Sequence, residues 1–229
     1  MNAPFQFPAT DEHTTIVGRN GCGKTRLGCF LLGKRDLKSE RWVALDFKGD
    51  DLLNSIERAI VLESDKVPEK PGLYVKQFRR ASDDEINDFL WGIWEDEDTG
   101  VYIDEGYFVP QGEDGAYKGL LTTGRSKRTP VITLSQRPVR ISRFAFSEVS
   151  HLAVFDLNDR RDWKTLDEVL PQGFTDWLPS QFPGPKLPRF HSRWYDVKRD
   201  AGFIVTPVPE ADEIRELINS QLEPKRRWL

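Results

Sequence analysis

Residues 14–25 read Thr-Thr-Ile-Val-Gly-Arg-Asn-Gly-Cys-Gly-Lys-Thr. The first four form a β-branched run that predicts a strand, and Gly18 to Thr25 then follow the pattern G-x-x-x-x-G-K-T. In this pattern the backbone N–H groups of a glycine-rich loop surround phosphate oxygens, the lysine reaches the β- and γ-phosphates and the threonine hydroxyl ligates Mg²⁺. A helix predicted over 24–33 would direct its N-terminus at the same phosphates.

The loop therefore predicts binding of a nucleoside triphosphate. Gly18, Gly21 and Gly23 are expected to adopt backbone conformations that a Cβ disfavours. Cys22 has two interpretations. It is either a reactive thiol, whose pKa is lowered by a nearby lysine and a helix N-terminus, or a plain small loop residue. The second interpretation is preferred. The predicted nucleotide-binding residues are Gly18, Arg19, Asn20, Gly21, Cys22, Gly23, Lys24 and Thr25.

Composition limits the remaining possibilities. The 229 residues suffice for one large domain, or one domain with a small appendage. A net charge of −4 confines any contact with DNA to local surfaces. Cys22 and Cys29 have the spacing of neither a metal site nor a disulfide framework, which fits a reducing compartment. We expect neither a signal peptide nor a membrane span, because the sequence has no long apolar run.

Strand-like and helix-like segments alternate through the first three quarters of the chain. Strands are predicted over 14–17, 41–47, 59–62, 73–78, 100–105, 130–134 and 151–155. Helices are predicted over 24–33, weakly over 50–58, and over 82–98, 113–123 and 159–169. This alternation predicts an α/β fold with a central, mostly parallel sheet flanked by helices.

The remaining residues have a different character. Five prolines within 170–188 predict an extended segment, which either wraps the domain or docks a partner. Segments 189–197 and 203–208 predict an edge hairpin, and 210–222 predicts an amphipathic helix. A basic tip at 225–228 suits a phosphate backbone or solvent. We predict a core over 1–170 and a smaller part over 171–229 that packs on the same domain.

Two strand ends carry further candidate catalytic residues. Gly-Val-Tyr-Ile-Asp-Glu at 100–105 is an apolar run that ends in two carboxylates. Because ligands gather at the carboxyl ends of strands in such sheets, Asp104 is expected to hold Mg²⁺ or its water. Glu105 would then orient and deprotonate the water that attacks the γ-phosphate. Gln136, which follows the strand at 130–134, suits a sensor that hydrogen-bonds the γ-phosphate.

Charge is unevenly distributed. The predicted helix at 82–98 carries eight carboxylates and no basic residue, which indicates a solvated face or a surface for a basic neighbour. Residues 125–143 contain six basic residues and no acidic one. Three destinations compete for them: a neighbour's γ-phosphate, a DNA backbone, or the acidic helix. Arg125 and Arg128 are the candidates for a trans-acting arginine, which is worth roughly 10³- to 10⁵-fold in phosphoryl transfer.

These motifs together resemble the FtsK/HerA superfamily of P-loop translocases. The matching segments are Gly-Arg-Asn-Gly-Cys-Gly-Lys-Thr (18–25), Leu-Asp-Phe-Lys-Gly (45–49), Tyr-Ile-Asp-Glu (102–105) and Gly-Arg-Ser-Lys-Arg-Thr-Pro-Val-Ile-Thr-Leu-Ser-Gln-Arg-Pro (124–138). The last segment is the most specific. Within the superfamily, a chain of this size is similar to the genome-packaging ATPases of tailless icosahedral phages.

The resemblance implies a RecA-like fold and a ring of five or six identical subunits around double-stranded DNA, driven by ATP with Mg²⁺. It also implies capsid or packaging-vertex partners, in the host cytoplasm or on the virion. Lys24 and Thr25 would hold phosphate and Mg²⁺, while Asp104 and Glu105 would serve the metal and the water. Gln136 would be the sensor, and Arg125 or Arg128 the trans-acting arginine.

Three alternatives to a DNA motor stay open at this stage. A phage-export or conjugation ATPase has the same fold and usually a membrane anchor. A small-molecule or nucleotide kinase is also a single P-loop domain, but it has no need of a water-activating Glu105 or a Gln136 sensor. A nucleotide-binding module without turnover is disfavoured by the intact set of Lys24, Thr25, Asp104 and Glu105.

Overall fold

The structure is a computed structural model that describes residues 5–176 and 187–224. Its strands are β1 (Thr14–Val17), β2 (Arg41–Asp46), β3 (Ile60–Val61), β4 (Gly72–Gln77), β5 (Thr99–Asp104), β6 (Val131–Ser135), β7 (His151–Val154), β8 (Ser192–Asp196) and β9 (Ala201–Val205). Its α-helices are α1 (Lys24–Leu32), α2 (Asp51–Asn54), α3 (Asp83–Asp96), α4 (Ala116–Thr123), α5 (Phe144–Ser147), α6 (Arg160–Asp167) and α7 (Ala211–Gln221). The predicted basic tip at 225–228 and most of the proline-rich segment, residues 177–186, lie outside the described residues.

All nine strands form one sheet, in the order β3-β4-β2-β5-β6-β1-β7-β8-β9. The seven strands from β3 to β7 pair in parallel, and β8 and β9 complete the sheet as an antiparallel hairpin. The predicted α/β class, the mostly parallel sheet and the edge hairpin are confirmed. Because the parallel strands share one direction, their carboxyl ends meet at the same edge of the sheet.

Helices cover both faces of the sheet, so the central strands are buried on two sides. Successive residues of β2 enter different hydrophobic cores. Val43 belongs to the core that includes Leu90 of α3 and Leu120 of α4, whereas Trp42 belongs to the core that includes Leu32 of α1 and Ile218 of α7. All six residues of β5 are buried. Strands that are buried on both faces appear in the sequence as short continuous apolar runs, which is why they were predictable.

The acidic helix α3 begins as predicted. Ser82 accepts a hydrogen bond from the Glu85 backbone N–H, and the Glu85 carboxylate accepts one from the Ser82 backbone N–H. This reciprocal capping box satisfies two backbone donors that have no partner inside the helix. The helix ends at Asp96, earlier than predicted, because Glu97 and Asp98 adopt left-handed φ angles of 59° and 46°. The chain then turns directly into β5.

Tertiary packing changes the elements that the sequence signals only weakly. The helix predicted over 50–58 is shortened to α2, which Asp50 caps by accepting hydrogen bonds from two backbone N–H groups. After Asn54 the chain leaves the helix and buries Ile56. The short helix α5 was not predicted; its Ala145 carbonyl accepts a hydrogen bond of 2.6 Å from the Thr15 hydroxyl.

The C-terminal elements belong to the same sheet and core. β8 extends the sheet from β7, and α7 packs on α1 through the buried side chains of Ile214 and Ile218. At the end of α1, the Gln221 side-chain amide donates a hydrogen bond of 2.6 Å to the Gly33 carbonyl. Residues 192–221 therefore cover one flank of the helix that follows the phosphate loop.

Candidate active site

The phosphate loop joins β1 to α1 at the carboxyl edge of the sheet. The ends of β2, β5 and β6 lie at the same edge, since β6 pairs in parallel with β1, β5 with β6, and β2 with β5. Together they enclose a cavity of about 330 Å³. Its walls are Asn20, Gly21, Gly23, Lys24, Thr25, Arg26, Lys48, Asp50, Asp104, Glu105, Gln136 and Phe190.

The loop glycines are required for two different reasons. Gly21 and Gly23 have φ angles of 70° and 108°, which residues with a Cβ rarely adopt. Gly18 does not share this conformation, contrary to our expectation. A Cβ at Gly18 would lie 2.5 Å from the Cβ of Phe155 and 2.7 Å from the Sγ of Cys22, so the position is restricted by space.

Lys24 is held inside the loop. Its side chain is buried, its ammonium donates a hydrogen bond of 3.1 Å to the Arg19 carbonyl, and burial lowers its pKa. A phosphate oxygen would supply the counter-charge that this buried ammonium needs. Cys22 is also buried, and burial raises the pKa of its thiol despite the nearby lysine. The preferred interpretation of Cys22 as a plain loop residue agrees with that environment.

Asp104 lies at the end of β5 and is 5% exposed. Burial, followed by the negative charges of Asp50 and Glu105, raises the pKa of Asp104 to about 7. A divalent cation would relieve this accumulation of carboxylates. The described residues contain no group of three or more His, Cys, Asp or Glu side chains that could hold a metal by themselves. Mg²⁺ fits such a site, because it is commonly bound through one or two protein oxygens together with substrate phosphates and waters. Thr25 and Asp104, which both line the cavity, would be those ligands.

Glu105 is held by the two strands beside its own. Its carboxylate accepts hydrogen bonds from the backbone N–H of Gln136, at 3.2 Å, and from the Gln136 side-chain amide. On the other side it forms an ion pair of 2.9 Å with Lys48. The backbone of Glu105 is left-handed, with φ 71° and ψ 75°, a conformation that is uncommon outside glycine and concentrated at functional sites. The structure thus brings the predicted water-activating group into contact with the predicted sensor.

Sequence reasoning missed four residues of the cavity: Arg26, Lys48, Asp50 and Phe190. Lys48 and Asp50 follow β2, whose last residue Asp46 is in register with Asp104 of β5. The Asp46 carboxylate accepts backbone hydrogen bonds from Lys48, Gly49 and Asp50, and thereby fixes their turn. Although burial opposes it, the hydrogen bond to Glu105 raises the pKa of Lys48. The sequence did carry a signal for Lys48 and Asp50, because they are polar residues directly after a strand that is predicted to be buried.

Arg125 and Arg128 lie at the opposite edge of the sheet. They precede β6, and their neighbour Asp98 precedes β5, so both arginines are at the amino ends of the strands that deliver Glu105 and Gln136. A strand of this length spans about 17–20 Å. The arginines therefore cannot reach the phosphate loop of their own chain. Both are exposed, and Arg128 forms an ion pair with Asp98.

Most other cations of the basic segment have partners within the chain. Arg137 donates to Asp159 at 2.8 Å and to Asp162 at 2.9 Å, which anchors the residue after Gln136 to α6. Lys127 pairs with Glu97 at 2.8 Å, and Arg143 pairs with Glu168. Within residues 5–176 and 187–224, ion pairs are found for neither Arg125 nor Arg140. Of the three predicted destinations, the acidic segment at 82–98 receives two of the basic residues within the same chain. Lys127 and Arg128 pair with Glu97 and Asp98, the two residues that follow α3.

A phosphate loop after β1, the pair Asp104-Glu105 at the end of β5 and a glutamine directly after β6, which lies between those two strands, define a P-loop NTPase. No family model matches the chain. It is 39% identical over 225 residues to the DNA packaging ATPase P9 of Enterobacteria phage PRD1, which covers 97% of this chain and 98% of that protein. The chain belongs to the family of viral DNA-packaging ATPases, and the predicted resemblance is confirmed.

Solved structures agree on the fold. The genome packaging NTPase B204 of Sulfolobus turreted icosahedral virus 2, in complex with ATP-γS, superposes with a TM-score of 0.70 at 16% identity and covers 88% of this chain and 100% of its own. VirB4 of Thermoanaerobacter pseudethanolicus gives a TM-score of 0.61 at 10% identity, over 88% of this chain and 90% of its own. In the part of the chain that the structure describes, no helix is both long and apolar enough to cross a membrane.

Proposed function

We propose that the chain is an ATP-hydrolysing motor that moves double-stranded viral DNA into a preformed capsid. The observation that carries the proposal is the near full-length similarity to a DNA packaging ATPase, together with one cavity that joins Lys24, Asp104, Glu105 and Gln136. Family membership supports ATP as the fuel and DNA as the cargo. It also favours the motor over the kinase and export alternatives.

The residues of the cavity divide the hydrolytic work. Loop N–H groups and Lys24 bind and orient the triphosphate, while Thr25 and Asp104 would hold Mg²⁺. The ion supplies charge neutralisation on the phosphates. Glu105 takes the proton of the attacking water through Oε2, which accepts one hydrogen bond, from the Gln136 backbone N–H, and has a second acceptor position. The Gln136 side-chain amide bonds Oε1 and has to release it before it can hydrogen-bond the γ-phosphate and report its presence.

We propose that the site is completed by a neighbouring subunit. Arg125 and Arg128 are exposed and lie about a strand length from their own loop, so a role in hydrolysis requires another subunit's loop. A ring whose subunits contact one another through different faces brings one subunit's arginine edge to the next subunit's phosphate edge. Among the described residues Arg125 has no ion pair that must break for this role, whereas Arg128 has to leave Asp98. The ring has five or six subunits in this proposal.

The partners follow from the same role. Double-stranded DNA would pass through the ring, and a capsid or packaging-vertex protein would hold the ring in place. The motor would act in the host cytoplasm, where capsids are filled, and stay at the packaging vertex. Because a net charge of −4 limits the basic surface, DNA contacts should be few and directed at phosphates.

The test is to measure the steady ATPase rate with and without duplex DNA, alongside the mass of the assembly. The motor proposal expects hydrolysis without any phosphate acceptor, stimulation by duplex DNA, and a mass of five or six subunits. DNA binding should be independent of sequence and should weaken as salt rises. A monomer whose ATPase rate is indifferent to DNA would contradict the proposal.

A further inference from the structure

Lys48 brings a cation to the phosphate cavity from outside the phosphate loop. It follows β2, the strand beside β5, and its ammonium lies 2.9 Å from Oε1 of Glu105. The two partners differ in exposure, because the Glu105 side chain is 4% exposed and the Lys48 side chain is 37% exposed. The lysine therefore holds the buried carboxylate from its more exposed side.

The backbone that carries Lys48 is fixed by a buried carboxylate. Asp46, the last residue of β2, is fully buried, and its Oδ1 accepts backbone hydrogen bonds from residues 48, 49 and 50 at 3.2, 2.7 and 3.1 Å. Its Oδ2 accepts a hydrogen bond of 2.8 Å from the Asn54 side-chain amide. The turn after β2 is therefore tied to the end of the strand, which places the start of the Lys48 side chain beside Glu105.

Two aromatic rings lie under the Lys48 ammonium. Its Nζ is 5.5 Å from the centre of the Tyr107 ring and 5.7 Å from the centre of the Phe108 ring. Both rings belong to a short 3₁₀ helix (Gly106–Phe108) that directly follows Glu105. A cation is attracted to the face of an aromatic ring at this distance. Lys48 thus contacts both the Glu105 carboxylate and the turn that follows it.

The two oxygens of the Glu105 carboxylate have different partners. Oε1 receives the Lys48 ammonium and the Gln136 side-chain amide, whereas Oε2 receives the Gln136 backbone N–H at 3.2 Å. Because each carboxylate oxygen has two acceptor positions, Oε2 keeps one for the attacking water. Once the Gln136 amide has moved to the γ-phosphate, Lys48 is the side chain, among the described residues, that still holds Oε1.

We propose that Lys48 is a positioning residue for hydrolysis, which keeps Oε2 of Glu105 directed at the attacking water while Gln136 changes partner. This inference rests on the proposed ATP hydrolysis and adds a residue from the end of β2 to its machinery. Lys48 acts through Glu105 and does not hold the triphosphate. A carboxylate that can rotate presents its oxygen to the water for only part of the time, so loss of Lys48 slows hydrolysis and leaves ATP binding unchanged.

The test measures steady ATP hydrolysis and the affinity of a non-hydrolysable ATP analogue, with Mg²⁺, on the full chain. Lys48→Met keeps a long side chain over the two rings and removes the ammonium. Its kcat is expected to fall about 10- to 10²-fold, because a misplacement of about 1 Å can cost about 10²-fold in rate. KM and the affinity for the analogue should stay within about twofold of the wild-type values.

Two further variants serve as rescue and control. Lys48→Arg restores a cationic donor to Oε1 and should recover most of the lost rate. Lys38→Met is the matched control, because Lys38 is an exposed lysine that precedes β2 and does not line the phosphate cavity. Its rate should equal that of the wild type.

A double variant separates positioning from a direct contact with the phosphates or the metal. If Lys48 acts through Glu105, adding Lys48→Met to Glu105→Gln should leave the residual rate of Glu105→Gln within about twofold. Two groups that act as one unit lose their effect together, whereas independent groups lose it in sequence.

Three results would overturn the inference. A kcat of Lys48→Met within twofold of wild type would show that Glu105 does not need the lysine. A loss of the same size in the Glu105→Gln background, or a weakened ATP analogue, would show that Lys48 acts on the phosphates or the metal. If Lys48→Met does not fold, Lys48→Ala carries the same expectations. A wild type without ATPase activity would contradict the proposed function as well, so the two failures are distinguishable.

Discussion

The two ends of β5 each carry an aspartate, and the two have opposite properties. Asp104, at the carboxyl end, is buried among other carboxylates, and burial raises its pKa to about 7. Asp98, just before the amino end, is exposed, and its hydrogen bond with Arg128 lowers its pKa. One end therefore accumulates negative charge that needs a cation, whereas the other pairs opposite charges in solvent. The first edge is suited to receive a ligand, and the second exposes the arginines that we propose act on a neighbouring subunit.

The largest expected effect tests whether the two edges meet between subunits. Arg125→Ala should lower the ATPase rate of the assembled protein by roughly 10³-fold or more, because a guanidinium on the transferred phosphate is worth that much. The sharper experiment mixes Arg125→Ala subunits with Glu105→Gln subunits. Some interfaces then combine an intact Arg125 with an intact Glu105, so the mixture should regain activity that neither variant has alone.

Arg140→Ala is the matched control for this experiment, since Arg140 is another exposed arginine of the same basic segment. Its rate should stay near that of the wild type. A mixture no more active than the sum of its components would show that Arg125 does not act across the interface, and Arg128→Ala would then be mixed in the same way.

The next effect separates hydrolysis from binding at the carboxyl edge. Glu105→Gln should lower the ATPase rate about 10²- to 10⁴-fold, as loss of a general base does, while ATP still binds. Lys24→Ala should lose binding as well, because it removes the phosphate contact. Nucleotide affinity and steady hydrolysis, measured on both variants, distinguish the two roles. Hydrolysis by Glu105→Gln at the wild-type rate would contradict the assignment of Glu105.

The carboxyl edge was largely predictable because each of its main residues follows a recognisable local pattern. Lys24, Asp104 and Gln136 are fixed by the loop motif and by the ends of two apolar runs. Their meeting at one edge follows from a parallel sheet. Phe190 had no comparable signal, since it reaches the site through a hairpin paired to β7, far away in the chain. Its position depends on long-range packing that no local periodicity encodes.

The amino edge was predictable in composition but not in its contacts. The acidic helix and the basic segment were both evident, and a contact between different subunits was one prediction. In the structure Arg128 and Lys127 pair with Asp98 and Glu97 of the same chain, because β5 and β6 are neighbours and start side by side. Strand order, which the sequence did not specify, decides which charges meet.

A third prediction concerns pH and the stability of the protein without nucleotide. The folded-state pKa of Asp104 is raised to about 7 from its ordinary value of 3.8. The contribution of Asp104 to the stability of the fold is therefore fully present below about pH 4 and is lost as pH rises through 7. Asp104→Asn has no carboxylate to ionise in the buried site, so its stability does not fall in this way as pH rises. The variant should therefore be more stable than the wild type at pH 8, by on the order of 2–4 kcal/mol, and the difference should shrink toward pH 4.

Chemical denaturation without Mg²⁺ at pH 4, 6 and 8 measures this dependence. Mg²⁺ with ATP should stabilise the wild type at pH 8 much more than it stabilises Asp104→Asn, since the variant has lost a metal ligand. A stability difference that grows toward acid would give the opposite sign and would contradict the raised pKa.

The smallest expected effect is at the other end of the same strand. Asp98 has a lowered pKa, so its contribution to stability is present above the ordinary aspartate pKa and is lost as pH falls through the folded-state value. Because Asp98 and Arg128 are 51% and 64% exposed, solvent and salt screen the pair. Asp98→Asn should lower the Tm at pH 7 by at most about 2 °C in low salt, and by nothing measurable in about 1 M salt. A larger loss that persists in high salt would mean that this edge is held by its ion pair, and Arg128 would then be a structural residue that is not available to a neighbouring subunit.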